Sequence, residues 1–305
     1  MSKLAIQSTA YGFTVRQEQI MHDGRKLPFF GNFRTDNNVC LGMTSDHYGL
    51  VQNTELLDAA HAALDARGLT GYDEKIMVTG NGERFYATFE FKNKQLASAV
   101  GDVFGFKLTL KNSFDRSLRV AFELGFLRLA CLNGMATMEK EFAATRKHST
   151  KITIDFLADA IDRAMSRGKD ALQVYDQMAQ IALTDEQGKN VLAQLVARDL
   201  LSGKHGDSMT TLWLAPKREE DKARNLYNLY NAITEHLTHQ VSGERFEYAA
   251  KVNNNVLITL VNAARNKDKL TKLLLPVPQP QTVVVVDTNA VAAAGGQVLE
   301  ATIVQ

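Results

Sequence analysis

Two short apolar runs, Phe29-Phe30-Gly31-Asn32-Phe33 and Val39-Cys40-Leu41-Gly42-Met43, flank the pair Asn37-Asn38. Asparagine tolerates the left-handed backbone of a tight turn, so this pattern predicts a β-hairpin. Asn53 then stands where a helix cap belongs, because Leu56, Leu57, Ala60, Ala63 and Leu64 recur at helical spacing until Gly68. Residues 75–79, 83–91 and 103–111 read as strands. In the second of these Phe85, Ala87, Phe89 and Phe91 share one side of a period-two pattern, and Arg84, Tyr86, Thr88 and Glu90 share the other. Asn81-Gly82, just before it, predicts a type I′ hairpin turn.

After Lys151 the period changes. Ile154, Leu157, Ala158, Ile161 and Met165 form a helical stripe, and further stripes run through 172–183, 191–201, 225–237 and 252–264. Thr184 is placed to cap the third of these stripes, and Gly203 and Gly206 bracket a break before Met209. Pro276, Pro278 and Pro280 close the patterned region, and the Val283–Val286 and Ala292–Ala294 runs beyond them read as a flexible tail. The alternative for the valine run is a strand that adds to a sheet edge of another chain. The expected fold is therefore α+β. An antiparallel β-rich half with at least one helix occupies 1–151, a helical region packed on or beside it spans 152–275, and the tail covers 276–305.

With 305 residues, 45% of them hydrophobic, the chain can bury a sizeable core. The 35 Lys and Arg nearly cancel the 34 Asp and Glu, so no global field draws it to nucleic acid or membrane. Cys40 and Cys131 lie far apart with no Cys-x-x-Cys spacing, which argues against a zinc framework or a disulfide scaffold and reads as two buried free thiols. No apolar run approaches the roughly 20 residues of a bilayer span, and the densest one, 118–138, is interrupted by Arg119, Glu123 and Arg128. The start lacks a signal-peptide run, so the expected location is the cytoplasm of the host cell, with no membrane partner.

Charge counted locally changes the picture. Residues 92–151 hold eleven basic and five acidic side chains. The candidate nucleic-acid contacts are Lys107, Lys111, Arg116, Arg119, Arg128, Arg146, Lys147 and Lys151. Phe104, Phe106 and Phe114 interleave with them, an arrangement in which rings stack on bases while cations follow phosphates; the plain alternative is core phenylalanines and a solvated basic face. Arg128, inside an apolar stretch, needs a partner: Glu123, a backbone carbonyl or a phosphate, with an internal partner favoured. No phosphate-binding Gly-Lys-Ser/Thr loop, His-Glu-x-x-His or Gly-x-Ser-x-Gly is present, so no catalytic residue and no cofactor is assigned. His236 and His239 beside Glu235 fall short of a metal ligand set, and Asp155, Asp159 and Asp162 make an ordinary acidic helix face, so no metal site is assigned either.

The segment Leu41-Gly42-Met43-Thr44-Ser45-Asp46-His47-Tyr48-Gly49-Leu50-Val51-Gln52-Asn53 resembles the opening motif of a phage/plasmid-like family catalogued as domain of unknown function 932. The runs Leu110–Ser117, Arg128–Gly134, His148-Ser149 and Asn228–His236 resemble further motifs of the same family, in the same order. The resemblance implies an origin on mobile elements, in company with replication and recombination functions. A sheet of hairpins beside helices with a local basic band also resembles, in architecture, the single-strand annealing proteins of the RecT/Red-beta type. The leading expectation is a non-enzymatic phage or plasmid DNA-metabolism protein. It binds single-stranded DNA through the basic band and aids annealing or replication as a homo-oligomer, with a replication or recombination protein as a further partner. The alternatives are a protein–protein or host-factor module built on the helical half and tail, and a metal-dependent enzyme acting on nucleic acid around Asp46, His47 and His148.

Overall fold

The computed structural model describes residues 11–97, 101–130, 133–135, 143–241 and 245–278. A three-stranded antiparallel meander comes first: β1 (Val15–His22), β2 (Arg25–Arg34) and β3 (Cys40–Thr44). Asp23 and Gly24 turn the first hairpin with φ of 47° and 71°, and Asn38 helps turn the second with φ of 61°. The β2–β3 hairpin is the one expected. β1 has no such signature in the sequence, because Arg16-Gln17-Glu18-Gln19 carries polar residues on both sides of the strand.

Helix α1 (Asn53–Asp65) follows and buries Leu56, Leu57, Ala60 and Leu64. Asn53 does not cap it: Gln52 holds that position, and Asn53 is buried with its side-chain oxygen accepting from Asn112 Nδ2 at 2.8 Å. The larger sheet runs β4 (Asp73–Thr79), β5 (Arg84–Ala97), β6 (Val103–Ser113) and β7 (Val120–Arg128), and β8 (Asn133–Met135) and β9 (Ala143–Arg146) pair with different stretches of β7. Thr79 pairs with Arg84, so the β4–β5 connection is a four-residue loop in which Gly80 and Gly82, not Asn81, take positive φ; the two-residue type I′ turn is not formed.

The register stacks Phe89 beside Leu108 and Leu108 beside Leu124, which makes one side of this sheet a continuous apolar surface. The helices that follow are α2 (Phe156–Ala179), α3 (Asp185–Ala197), α4 (Gly203–Leu214), α5 (Leu226–His239), α6 (Phe246–Ala264) and α7 (Lys267–Leu274), with a 3₁₀ turn at Glu219–Asp221; α2 packs on β7 and β9 and α5 on β8, and the others pack on these two and on one another. One hydrophobic cluster reaches from Val51 through the sheet to Leu273, each fully buried Leu or Phe adding about 1.5–3 kcal/mol before entropy is counted. Thr184 caps α3 as expected, closing a reciprocal pair with Gln187. Two helix boundaries differ from the pattern. Gly168 does not interrupt α2, so the first two stripes form one 24-residue helix, and Gly203 and Gly206 lie inside α4 rather than before it.

α5 lies at the centre, buried from Leu226 to Leu237. Cys40 is exposed, a correction to the expected buried thiol, and Cys131 lies outside the described residues. Most of the expected tail, 279–305, also lies outside them. Among the described residues no helix is long and apolar enough to cross a membrane.

Candidate nucleic-acid interface

Three of the motif segments, far apart in sequence, meet at one end of the large sheet. The Tyr48 hydroxyl donates to the carbonyl of Ser113, the last residue of β6, at 2.6 Å, and its ring stacks on His148 with centroids 4.7 Å apart. His148 Nδ1 donates to the Gly49 carbonyl at 3.0 Å, and the Thr150 amide donates to His47 O at 3.1 Å. Gly42 and Gly49 are required by close approach. A Cβ on Gly42 would lie 2.6 Å from Asp115 Cα, and one on Gly49 would lie 1.9 Å from Ser149 O. Tyr48 thereby holds the β6–β7 connection and the segment after β9 against each other.

These two segments carry five of the eight candidate cations. Arg116 and Arg119 lie on the β6–β7 connection; Arg146 ends β9, where it pairs with Val120, and Lys147 and Lys151 follow it. All five are exposed, and none has a carboxylate partner among the described residues. The Arg146 guanidinium lies over the Phe156 ring at 4.8 Å, which orients it without neutralising it. Asp115, the nearest acid on the connection, accepts from the Ser117 amide at 2.8 Å and faces Arg84 at 3.3 Å.

The other three candidates are engaged elsewhere. Lys107 and Lys111 point to the side of the sheet that carries Glu90 and Glu123. Lys111 pairs with Glu123 at 2.6 Å, and Glu90 sits between Lys75 at 2.7 Å and Lys107 at 3.7 Å. Burial pushes the Lys107 ammonium below its ordinary pKa, against the pull of Glu90. Arg128 is 0% exposed. Its Nη2 lies 2.9 Å from Asp102 and its Nη1 2.6 Å from Asp221; the Tyr227 hydroxyl donates to Asp102 at 2.7 Å. Burial alone would lower the pKa of Arg128, but Tyr227 and the two carboxylates outweigh it and raise it. Arg128 therefore takes internal partners that no local reading named, and a polynucleotide cannot reach it. Asn231 extends this network, donating to Asp221 at 3.3 Å and to Asn228 at 3.1 Å, so the Arg128 motif and the Asn228–His236 motif form one buried polar joint. Of the two readings of Phe104, Phe106 and Phe114, the structure takes the plain one, since all three are core residues and no base can stack on them.

Residues 40–274 match the profile of the domain of unknown function DUF932. The chain belongs to the DUF932 family. No curated protein and no solved structure matches it. The matched region of this DUF932 member begins at Cys40, so β1 and β2 precede it while both motif clusters lie within it.

The remaining titratable candidates of the DUF932 domain are placed as follows. Asp46 and His47 are exposed and lie 3.5 Å from each other. His236 is buried and shares a 2.8 Å hydrogen bond with His205, while Glu235 pairs with Lys217 and Arg218 at 2.9 and 2.5 Å; among the described residues no group of three or more His, Cys, Asp or Glu is placed to hold a metal ion. Asp162, from the acidic face of α2, is forked to Arg67 at 2.6 and 2.8 Å. Desolvation holds both His148 and His236 below the ordinary histidine value. The unfolded chain then binds more protons than the folded one as pH falls below about 6.5, so their contribution to stability is full above that value and is lost beneath it. Urea midpoints measured at pH 7.5 and 5.5 should fall for the wild type. The drop should be smaller for His148→Gln; an equal drop would remove His148 from the account.

Proposed function

We propose that this DUF932 member binds single-stranded DNA through Arg116, Arg119, Arg146, Lys147 and Lys151, as a non-enzymatic DNA-metabolism protein of phage or plasmid origin. The observation that carries this reading is the convergence of five exposed cations, free of carboxylate partners among the described residues, on two segments clamped together by Tyr48. Polyanion affinity comes from such uncompensated charge, whereas paired lysines such as Lys111 release no counterions. The cations stand on connections at strand ends and not on a projecting helix or ribbon that could enter a major groove, which favours a flexible strand. A homo-oligomer belongs to the same reading and is supported by two large apolar side chains on one side of the small sheet, Phe29 and Met43, which are 47% and 52% exposed.

Binding of a fluorescent thirty-base oligonucleotide, titrated against salt, tests it. Five phosphate contacts to a single strand correspond to a log–log slope of roughly −3.5. The triple charge reversal Arg116→Glu, Arg119→Glu, Lys147→Glu should weaken binding on the order of a hundredfold and flatten that slope. Lys111→Gln, which touches only the Glu123 pair, should leave both unchanged. A triple variant that binds as tightly as the wild type removes the assignment.

A further inference from the structure

A second cluster of cations lies in the helical half. Where α3, α6 and α7 meet, a cleft of about 200 Å3 is lined by Arg198, Thr259, Asn262, Lys269 and Lys272 over a floor that includes buried Leu273. Among the described residues no carboxylate lines it. Asp199 and Asp268, adjacent in sequence to two of these cations, are not among its lining residues, and none of the three cations has an acidic partner among the described residues.

The arrangement is built by the helices. Lys269, Lys272 and Leu273 stand three and four residues apart on α7 and so share one side of it. The Asn266 side chain caps the start of α7 by accepting from the Lys269 amide at 3.0 Å. Its other end is tied to α3: Asn190 Nδ2 donates to Leu274 O and Gln194 Nε2 to Leu275 O, both at 3.0 Å. The same Gln194 accepts from Arg198 Nη2 at 3.3 Å through its side-chain oxygen. One glutamine thus fixes both the cleft wall and the guanidinium. Three like charges held in one concavity raise each other's energy, and an anion placed among them relieves it.

We propose that this cleft binds a small phosphate-bearing anion. A planar guanidinium matches two phosphate oxygens at once, and two ammonium groups supply point charges beside it. The Asn262 amide adds a neutral donor, and the volume, below the roughly 300 Å3 at which drug-sized pockets begin, suits one or two phosphates with a small substituent. The site is separate from the Arg116–Lys151 cluster, to which α3, α6 and α7 contribute nothing.

The experiment is calorimetric titration of the full chain with inorganic pyrophosphate, with sulfate at matched ionic strength as the comparison. Saturable pyrophosphate binding with a much weaker sulfate response is expected. Lys269→Gln with Lys272→Gln should weaken pyrophosphate by about tenfold for each cation removed, with the circular dichroism spectrum unchanged. Gln194→Ala, which leaves all three charges in place, should weaken it by a smaller factor. Equal responses to pyrophosphate and sulfate, or unchanged affinity in the double variant, would overturn the proposal. Oligonucleotide binding by the same double variant separates two sources of phosphate: a parallel loss means that the strand itself occupies the cleft, and no loss means a free small phosphate. The Arg116/Arg119/Lys147 reversal should keep full pyrophosphate affinity, so either site can fail without the other.

Discussion

Arg128→Met is expected to lower the unfolding free energy by about 3–5 kcal/mol, the range typical of breaking a buried ion pair from one side. The cause is what remains behind. Asp102 and Asp221, each nearly buried, lose the guanidinium that lies within 2.9 and 2.6 Å of them, and two desolvated carboxylates are left facing each other across its former position. Arg128→Lys should recover little, because one ammonium cannot reach both acids with the geometry of a fork. Adding Asp102→Asn and Asp221→Asn to the methionine variant should restore most of the loss, since neutral amides need no counter-charge. Urea denaturation followed by circular dichroism measures all of these. A loss below about 1 kcal/mol for Arg128→Met would mean that water reaches the joint and that it is not the dry network described here.

Gly49→Ala should cost about 1–3 kcal/mol through overpacking and should weaken oligonucleotide binding as well. The added methyl would stand 1.9 Å from Ser149 O and 2.7 Å from Ile152 Cγ2, so the segment 149–152 must move. That segment is anchored through His148 and Thr150, and its displacement shifts Lys147 and Lys151 away from Arg116 and Arg119. Gly203→Ala is the matched control, since its methyl would meet only Val196 Cγ1 at 3.8 Å. Thermal melting and the oligonucleotide assay, run on both variants, check the pair of effects. A Gly49→Ala protein with wild-type stability would show that the 149–152 backbone yields at no cost.

The parts of the fold that could be read from the sequence are those where one local period decides the outcome. Phe85, Ala87, Phe89 and Phe91 alternate cleanly and form the side of β5 that joins the main hydrophobic cluster, although Tyr86, Thr88 and Glu90 on its other side are buried as well, and the Leu56–Leu64 spacing forms α1. The charge window failed in a physically simple way. It counted Lys107 and Lys111 as part of a surface, but a strand's partners lie across the ladder, and Glu90 and Glu123 stand on neighbouring strands. Arg128 could be recognised as needing an internal partner from its apolar surroundings alone. The identity of that partner could not be, because Asp221 comes from the other half of the chain; the acidic run Glu219-Glu220-Asp221 just ahead of the Asn228 motif was the available signal. Sequence spacing sets His236 beside His239, its helix neighbour, while its hydrogen-bond partner His205 is on α4.

The distances along the chain that these contacts span bear on how the protein is made. Tyr48 must wait 65 residues for Ser113, Gly49 must wait 99 for His148, and Arg128 must wait 93 for Asp221. At a ribosomal pace of roughly 5–20 residues per second, the Gly49–His148 interval alone amounts to about 5–20 s in which the small meander has emerged and its clasp has not yet been synthesised. Throughout that interval the side bearing Phe29 and Met43, which stays exposed in the finished fold, is open to any nearby nascent chain, so contacts between copies through it can form before either chain is complete.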